Sequence, residues 1–326
     1  MRSTVAVSTA LAAAALALPS LADVKIYKND SLPLSGGGSI ACQAGFAPNE
    51  VGAAVFTVDP ADGKVLVLEA QYWVCDGSGL GFAQARPMRV EIYGAGGPNP
   101  GAPLYTSPTL LGSPGFLNLW PVEDQNLSFD SGQFTVGVRL LNGSLFQNFS
   151  TLATDSDGCQ SGKSLIFAVP GGWTDACSLG VSGDMFVRAR VLTEGPTEYG
   201  AGTAGTGGLV PDIDSNGAWM IGSGSFELTC SDAAAGAPGF LGYSSASASL
   251  GLFGGTVLIN PAAPGANFLP VTADGAGNAV VPAAIPGGNP ALIGAHLYFQ
   301  YGFLDAGAAG TVSMSEGLDV KLSNNT

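Results

Sequence analysis

What most restricts the fold of this chain is the period-two alternation of its apolar runs, each cut short by glycine, proline or asparagine. In Gln133–Leu141 (QFTVGVRLL), Phe134, Val136, Val138 and Leu140 share one face, while Thr135, Gly137 and Arg139 share the other. In Val187–Val191 (VRARV), Val187, Ala189 and Val191 face in and Arg188 and Arg190 face out. Lys64–Val74 (KVLVLEAQYWV) is a longer run behind an Asp62-Gly63 turn, and TVLI, NAVV and HLYFQYGF repeat the pattern later. A strand sends successive side chains to opposite faces, so alternation of this kind specifies half-buried strands of antiparallel sheets. No long segment beyond the N-terminus carries helical periodicity. The 49 glycines and 21 prolines disfavour helix interiors and supply turns. The expected class is all-β: two antiparallel β-sandwich, jelly-roll-like domains in tandem after a signal peptide.

The division comes from a shift in composition. Val191–Pro211 is rich in Gly, Thr and Pro and loses strand alternation in its middle. The expected layout is a signal peptide over 1–22, an N-terminal sandwich over 23–193, a boundary segment over 194–211 and a C-terminal sandwich over 199–326. The signal reading rests on Met1-Arg2, the apolar run Val5–Leu18 and the small residues Ser20 and Ala22, with cleavage near Ala22. That run is short for a membrane span, and no later one reaches about 18 apolar residues, so a secreted, extracellular product is expected.

Net charge is −14, from 25 acidic and 11 basic residues. A nucleic-acid partner needs a basic face, and the charge balance argues against one. Export favours disulfides among Cys42, Cys75, Cys159, Cys177 and Cys230. Spacing leaves connectivity open; the expected pairs are Cys159 with Cys177, which flank a strand-like run, and Cys42 with Cys75, leaving Cys230 buried and single.

In the second half, YGAGTAGTGGLVP, FLGYSSASASLGLFGGTVLINP, VTADGAGNAVVPAAIPGGNPALIGAHLYFQYGFLDAGA and SMSEGLDVKL cover nearly all of Tyr199–Leu322. Together they resemble a C-terminal β-sandwich module of secreted proteins from planctomycete-like and other environmental bacteria. The first half, through VEIYGAGGPNPGAPLY, SGQFTVGVRL, DSDGCQSGKSLIFAVPGGWTD and VSGDMFVRARV, is similar to jelly-roll-like extracellular modules. These resemblances imply a fold and a location; they transfer no catalytic residues.

Several constellations could carry chemistry. Asp212, Asp214 and Asn216 in PDIDSNGA stand at the first, third and fifth positions of a calcium-loop pattern, with Gly217 at the sixth, but Ser223 occupies the place of the bidentate acid. An Asn-Gly turn is the plainer reading. Asp155 and Asp157, before Cys159, could hold a structural Ca2+, with Asp130 and Asp184 converging from neighbouring loops, or form an Asx turn. No other cofactor is expected. His296, the single histidine, lies on a strand with its side chain toward solvent, and no G-x-S-x-G elbow accompanies it. Acids such as Glu91, Glu123, Asp124 and Asp130 are too generic to signal glycoside hydrolysis. Trp73 reads as core. Trp120 and Trp173, beside Pro121 and Gly171-Gly172, read as loop tryptophans that could stack on sugar. The resulting expectation is a non-enzymatic secreted protein for adhesion, matrix or surface interaction, with extracellular polysaccharide or surface proteins as partners. A calcium-supported carbohydrate-binding module and a hydrolase with an unfamiliar site are the alternatives.

Overall fold

The structure, a computed structural model, describes residues 24–34, 39–43, 45–76, 85–142 and 150–324. The expected signal segment lies outside the described residues. Every long element described is a strand, and the helical pieces are 3-10 turns of three or four residues.

The first half contributes β1 (Val24–Tyr27), β2 (Ile40–Cys42), β3 (Val51–Thr57), β4 (Val65–Asp76), β5 (Arg86–Tyr93), β6 (Pro103–Thr106) and β7 (Leu110–Gly112). It continues with β8 (Phe116–Pro121), β9 (Ser128–Phe129), β10 (Gln133–Leu140), β11 (Ser150–Asp155), β12 (Ser164–Ala168), β13 (Gly172–Asp175) and β14 (Val187–Leu192). One sheet runs β1-β14-β4-β11-β2, with β8 and β9 added on β4. The second runs β13-β12-β3-β10-β5-β6, with β7 added on β5. Phe134, Val136, Val138 and Leu140 meet Val187, Ala189 and Val191 in the core between these sheets, which is what their alternation dictates. The outer face of β10 is covered as well: Thr135 is fully buried and its hydroxyl donates to the Ala95 carbonyl. Arg188, expected to face out, leaves the core side as its register requires but is buried beneath the Asp30–Leu32 segment.

The second half contributes β15 (Thr197–Tyr199), β16 (Asp212–Asn216), β17 (Glu227–Ser231), β18 (Pro238–Ser244), β19 (Ser247–Leu252) and β20 (Gly255–Ile259). β21 (Asn267–Thr272), β22 (Ala279–Pro282), β23 (His296–Leu304), β24 (Val312–Met314) and β25 (Gly317–Lys321) complete it. The sheet β15-β25-β23-β18-β21 faces the three-stranded sheet β16-β17-β22. Leu241, Phe299, Tyr301, Phe303 and Leu318 join Ile213 and Leu228 in their common core. An apolar cleft of about 400 Å³ opens at its edge between Leu241, Val281, Leu297 and Phe299. The β19–β20 hairpin lies over the other face of β23: Gln300 Oε1 accepts the Leu258 N–H at 2.8 Å, and its Nε2 donates to the Thr256 carbonyl at 3.0 Å. The glycine-rich boundary stretch is itself ordered, since β15 pairs with β25.

Both expected disulfides are formed, Cys42–Cys75 with Cα atoms 5.5 Å apart and Cys159–Cys177 with 5.4 Å. Cys230 is buried and single. Burial pushes its thiol up to about 12, with the Asp212 and Asp232 charges adding to the effect, so it remains an unreactive thiol.

Candidate functional site

The outer face of the second sheet of the N-terminal sandwich gathers aromatic and charged side chains in one place. The β12–β13 hairpin sets Phe167 directly opposite Trp173. Gly172, at φ +81°, provides the left-handed turn residue that brings the chain back. Neither tryptophan of the expected stacking pair is on a loop. Trp173 lies on β13 and Trp120 on β8, because hairpin strands here begin immediately beside their Pro and Gly turn residues. Trp120 is a packing residue: it sits against the sandwich core and its indole Nε1 donates to the Tyr105 hydroxyl at 3.0 Å. Trp73, expected in the core, is half-buried on the outer side of β4, stacked on Phe186 at 5.7 Å.

Trp173 is half-buried and braced edge-on from two sides, by Tyr93 with ring centroids at 5.2 Å and by Phe167 at 5.4 Å. Gly137 creates the room. A side chain there would meet Val51 and Tyr93, so the bare position lets the Tyr93 ring lie across β10. Beside the rings, Arg139 makes a two-pronged bond to Glu91, Nε to Oε1 at 2.6 Å and Nη2 to Oε2 at 2.9 Å. Its guanidinium also stands 5.6 Å from the Phe167 ring centre. The hydrogen bond to Glu91 raises the Arg139 pKa further. Burial first, then its bond to Glu91, raises the Tyr93 phenol. Arg89 lies directly opposite Arg139 across the β5–β10 pair, and its buried Nε has no hydrogen-bond partner. Directly opposed like charges are unfavourable in a sheet unless something sits between or above them. The sequence signal for this group was the spacing of Arg89, Glu91 and Tyr93, whose period of two puts them on one face while Val90 and Ile92 enter the core.

The Asp155 and Asp157 pair lies at the end of β11, and the structure brings Asp184 to it. Asp155 accepts the Ser31 N–H on Oδ2 and the Asp184 N–H on Oδ1, both at 2.7 Å. Burial raises its carboxyl above the ordinary range, those two N–H groups oppose the shift, and the neighbouring Asp157 adds to it. Asp130 is exposed in the β9–β10 turn.

Asp212, Asp214 and Asn216 do not form a loop. They lie on β16, paired with β17 from Asp212↔Ser231 to Asn216↔Glu227. Alternate strand residues share a face but stand about 7 Å apart, too far to close on one ion. Asp214 binds Lys64 at 2.9 Å and Asn216 Nδ2 donates to Glu227 at 3.0 Å. His296 is half-exposed rather than free in solvent. Its Nδ1 is 2.7 Å from Asp319 Oδ1, in a cleft of about 300 Å³ where the two halves meet. Glu123 and Asp124 stand exposed on a surface 3-10 turn.

No protein-family profile matches the chain, and no curated protein matches it. Among solved structures, a β-glucuronidase of Bifidobacterium dentium complexed with coumarin-3-O-glucuronide is similar at 11% identity and a TM-score of 0.20, over 85% of this chain and 40% of that one. A GH2 β-galacturonidase of Eisenbergiella tayi bound to galacturonate is similar at 6% identity and a TM-score of 0.17, over 82% of this chain and 35% of that one. The chain thus spans well under half of either, and superpositions this loose carry no functional argument.

Proposed function

We propose that this protein is a non-enzymatic, extracellular β-sandwich protein that attaches to polysaccharide through the outer face of its N-terminal domain. The observation that carries the reading is the bracing of Trp173 by Tyr93 and Phe167 beside the Arg139–Glu91 pair. A fixed, half-open aromatic ring offers a stacking surface for the C–H face of a sugar at little cost in side-chain entropy. Arg139, held by Glu91 against the Phe167 ring, sets a fixed positive charge beside the aromatic group, suited to a sugar oxygen or carboxylate. Adhesion to a matrix or a cell surface follows from such binding. The two disulfides suit an oxidising compartment. Catalysis is not part of the reading. Glu91, beside the platform, is committed to Arg139 and Tyr93, and the chain's single histidine is in a different cleft.

The test is binding of the purified chain to an array of neutral and uronic-acid polysaccharides, followed by affinity measurements on the best ligand. Trp173→Ala should weaken binding by about tenfold, the equivalent of roughly 1.4 kcal/mol of stacking, with its folding checked by circular dichroism. Silence across the array, or a Trp173→Ala protein that binds like the wild type, would remove this reading.

A further inference from the structure

Asp184 is fully buried, and only half of its carboxylate is accounted for. Oδ1 accepts the Gln160 N–H at 3.1 Å and lies 3.4 Å from the Ser164 hydroxyl. Oδ2 is buried with no partner. A carboxylate oxygen removed from water without a donor or a cation is strongly unfavourable. Its surroundings are acidic: Asp155, itself 1% exposed, binds the Asp184 N–H, and Asp157 is within hydrogen-bonding reach of Asp155. No ion pair among the described residues brings a basic side chain to any of the three. The two segments are built to approach closely, since a Cβ at Gly183 would lie 1.9 Å from the Asp155 carbonyl oxygen.

We infer that Asp155, Asp157 and Asp184 form a binding site for a calcium ion, which supplies the missing partner of the Asp184 oxygen. The donor set is all oxygen, the signature of a hard cation. Sulfur is excluded: the one set of three acid or cysteine ligand atoms lying within 4.8 Å of one another among the described residues is Cys159, Asp175 and Cys177, and its sulfurs are joined in the disulfide. The three aspartates therefore close on one ion only when a side chain moves. Calcium tolerates such an irregular shell, completed by main-chain carbonyls and water, where magnesium requires a near-octahedral one. Burial raises the Asp184 carboxyl, the Gln160 N–H opposes this, and the Asp155 and Asp157 charges raise it again. A buried carboxylate oxygen with no donor is satisfied either by a proton or by a cation, and these alternatives separate experimentally. An ion here would tie the end of β11 to the approach to β14, across the turn that leads into the Cys159–Cys177 bridge.

The experiment uses the full chain stripped with chelator, then titrated with calcium alone and with magnesium alone, by calorimetry and by thermal melting near neutral pH. One calcium per chain should bind, with a melting rise of about 5 °C at about 5 mM and a smaller one with magnesium. Asp157→Ala should lose both the binding and the rise, each read against the variant's own chelator-treated melt. Asp184→Asn should abolish the rise too. Calcium without effect, together with an Asp184→Asn protein that melts at or above the wild type, would show a protonated acid and overturn the inference. Calcium binding that survives both substitutions would overturn it as well, by placing the ion elsewhere. Neither readout depends on the glycan surface.

Discussion

Arg188 has the sequence position of an outward-facing arginine and the environment of a core residue. Its side chain and that of Asp30 are 1% and 0% exposed. Nε donates to Asp30 Oδ2 at 2.8 Å, Nη2 reaches the Leu32 carbonyl at 3.0 Å, and the guanidinium lies 4.1 Å from the Phe186 ring centre. A pair this enclosed is expensive to break, because removing one partner strands the other charge. Asp30→Ala should cost about 3–5 kcal/mol in urea unfolding, whereas the double change Asp30→Leu with Arg188→Met should cost much less. Equal losses in the single and double variants would mean that the stability comes from packing and not from the pair. The strand face of Arg188 was legible in VRARV. Its burial was not, because the covering partner lies 158 residues away in sequence. The same limit applied to Asp184, whose significance depends on Asp155 and on one unpartnered oxygen that no local pattern records.

Among the strands and turns, the alternating runs gave the inner faces correctly because period two is a property of the backbone and needs no partner. The acidic stretch Asp212–Asn216 misled for the same reason. A 1-3-5 spacing of oxygen side chains is shared by a calcium loop and by one face of a strand, and only pairing with β17 decides between them. The turn after β23 shows how a carboxylate fixes local geometry where no regular ladder is available. Asp305, covered by its own turn at the periphery of the domain, accepts the Thr206 N–H at 2.7 Å, the Thr206 hydroxyl and the Gly307 N–H at 2.8 Å. These bonds, the Thr206 hydroxyl foremost, hold its pKa below the usual carboxylate value. A depressed acid in the folded state stabilises at pH above its unfolded value and loses that contribution as pH falls through the folded value. Asp305→Asn should therefore destabilise by about 1–2 kcal/mol at neutral pH, and the gap between variant and wild type should narrow below about pH 4. A gap that stays constant across the acid limb would assign the effect to geometry and not to charge.

For the molecule as a whole, the sequence suggested two sandwiches separated by a glycine-rich boundary, and the structure has two cores, the second of which draws on residues of the first half. Leu66 and Leu68 of β4 and Leu192 of β14 point away from the N-terminal core and join Trp219, Ile213 and Leu228 in the C-terminal one. Trp219, 2% exposed, donates its indole N–H to the Thr193 carbonyl at 3.2 Å, and a side chain at Gly195 would meet its ring at 2.9 Å. Lys64–Asp214 and Lys321–Glu194 bridge the same junction, as does the Gly217 N–H donated to Asn126 Oδ1. The outer face of one sheet thus serves as part of the floor of the next domain. Composition could not show this, because Val65 and Val67 on one face of KVLVLEAQYWV and Leu66 and Leu68 on the other look like an ordinary buried strand. The physical consequence is shared cooperativity: losing the C-terminal half would expose three leucines that the N-terminal half cannot cover. Calorimetry should therefore show one unfolding transition with calorimetric and van't Hoff enthalpies in agreement. Trp219→Ala, which opens a cavity at the junction, should lower stability by about 3–5 kcal/mol. A fragment ending at Thr193 should melt below the full chain and self-associate through the uncovered leucine face. Two resolved transitions, the first unchanged in the fragment, would show instead that the sandwiches fold independently and merely touch.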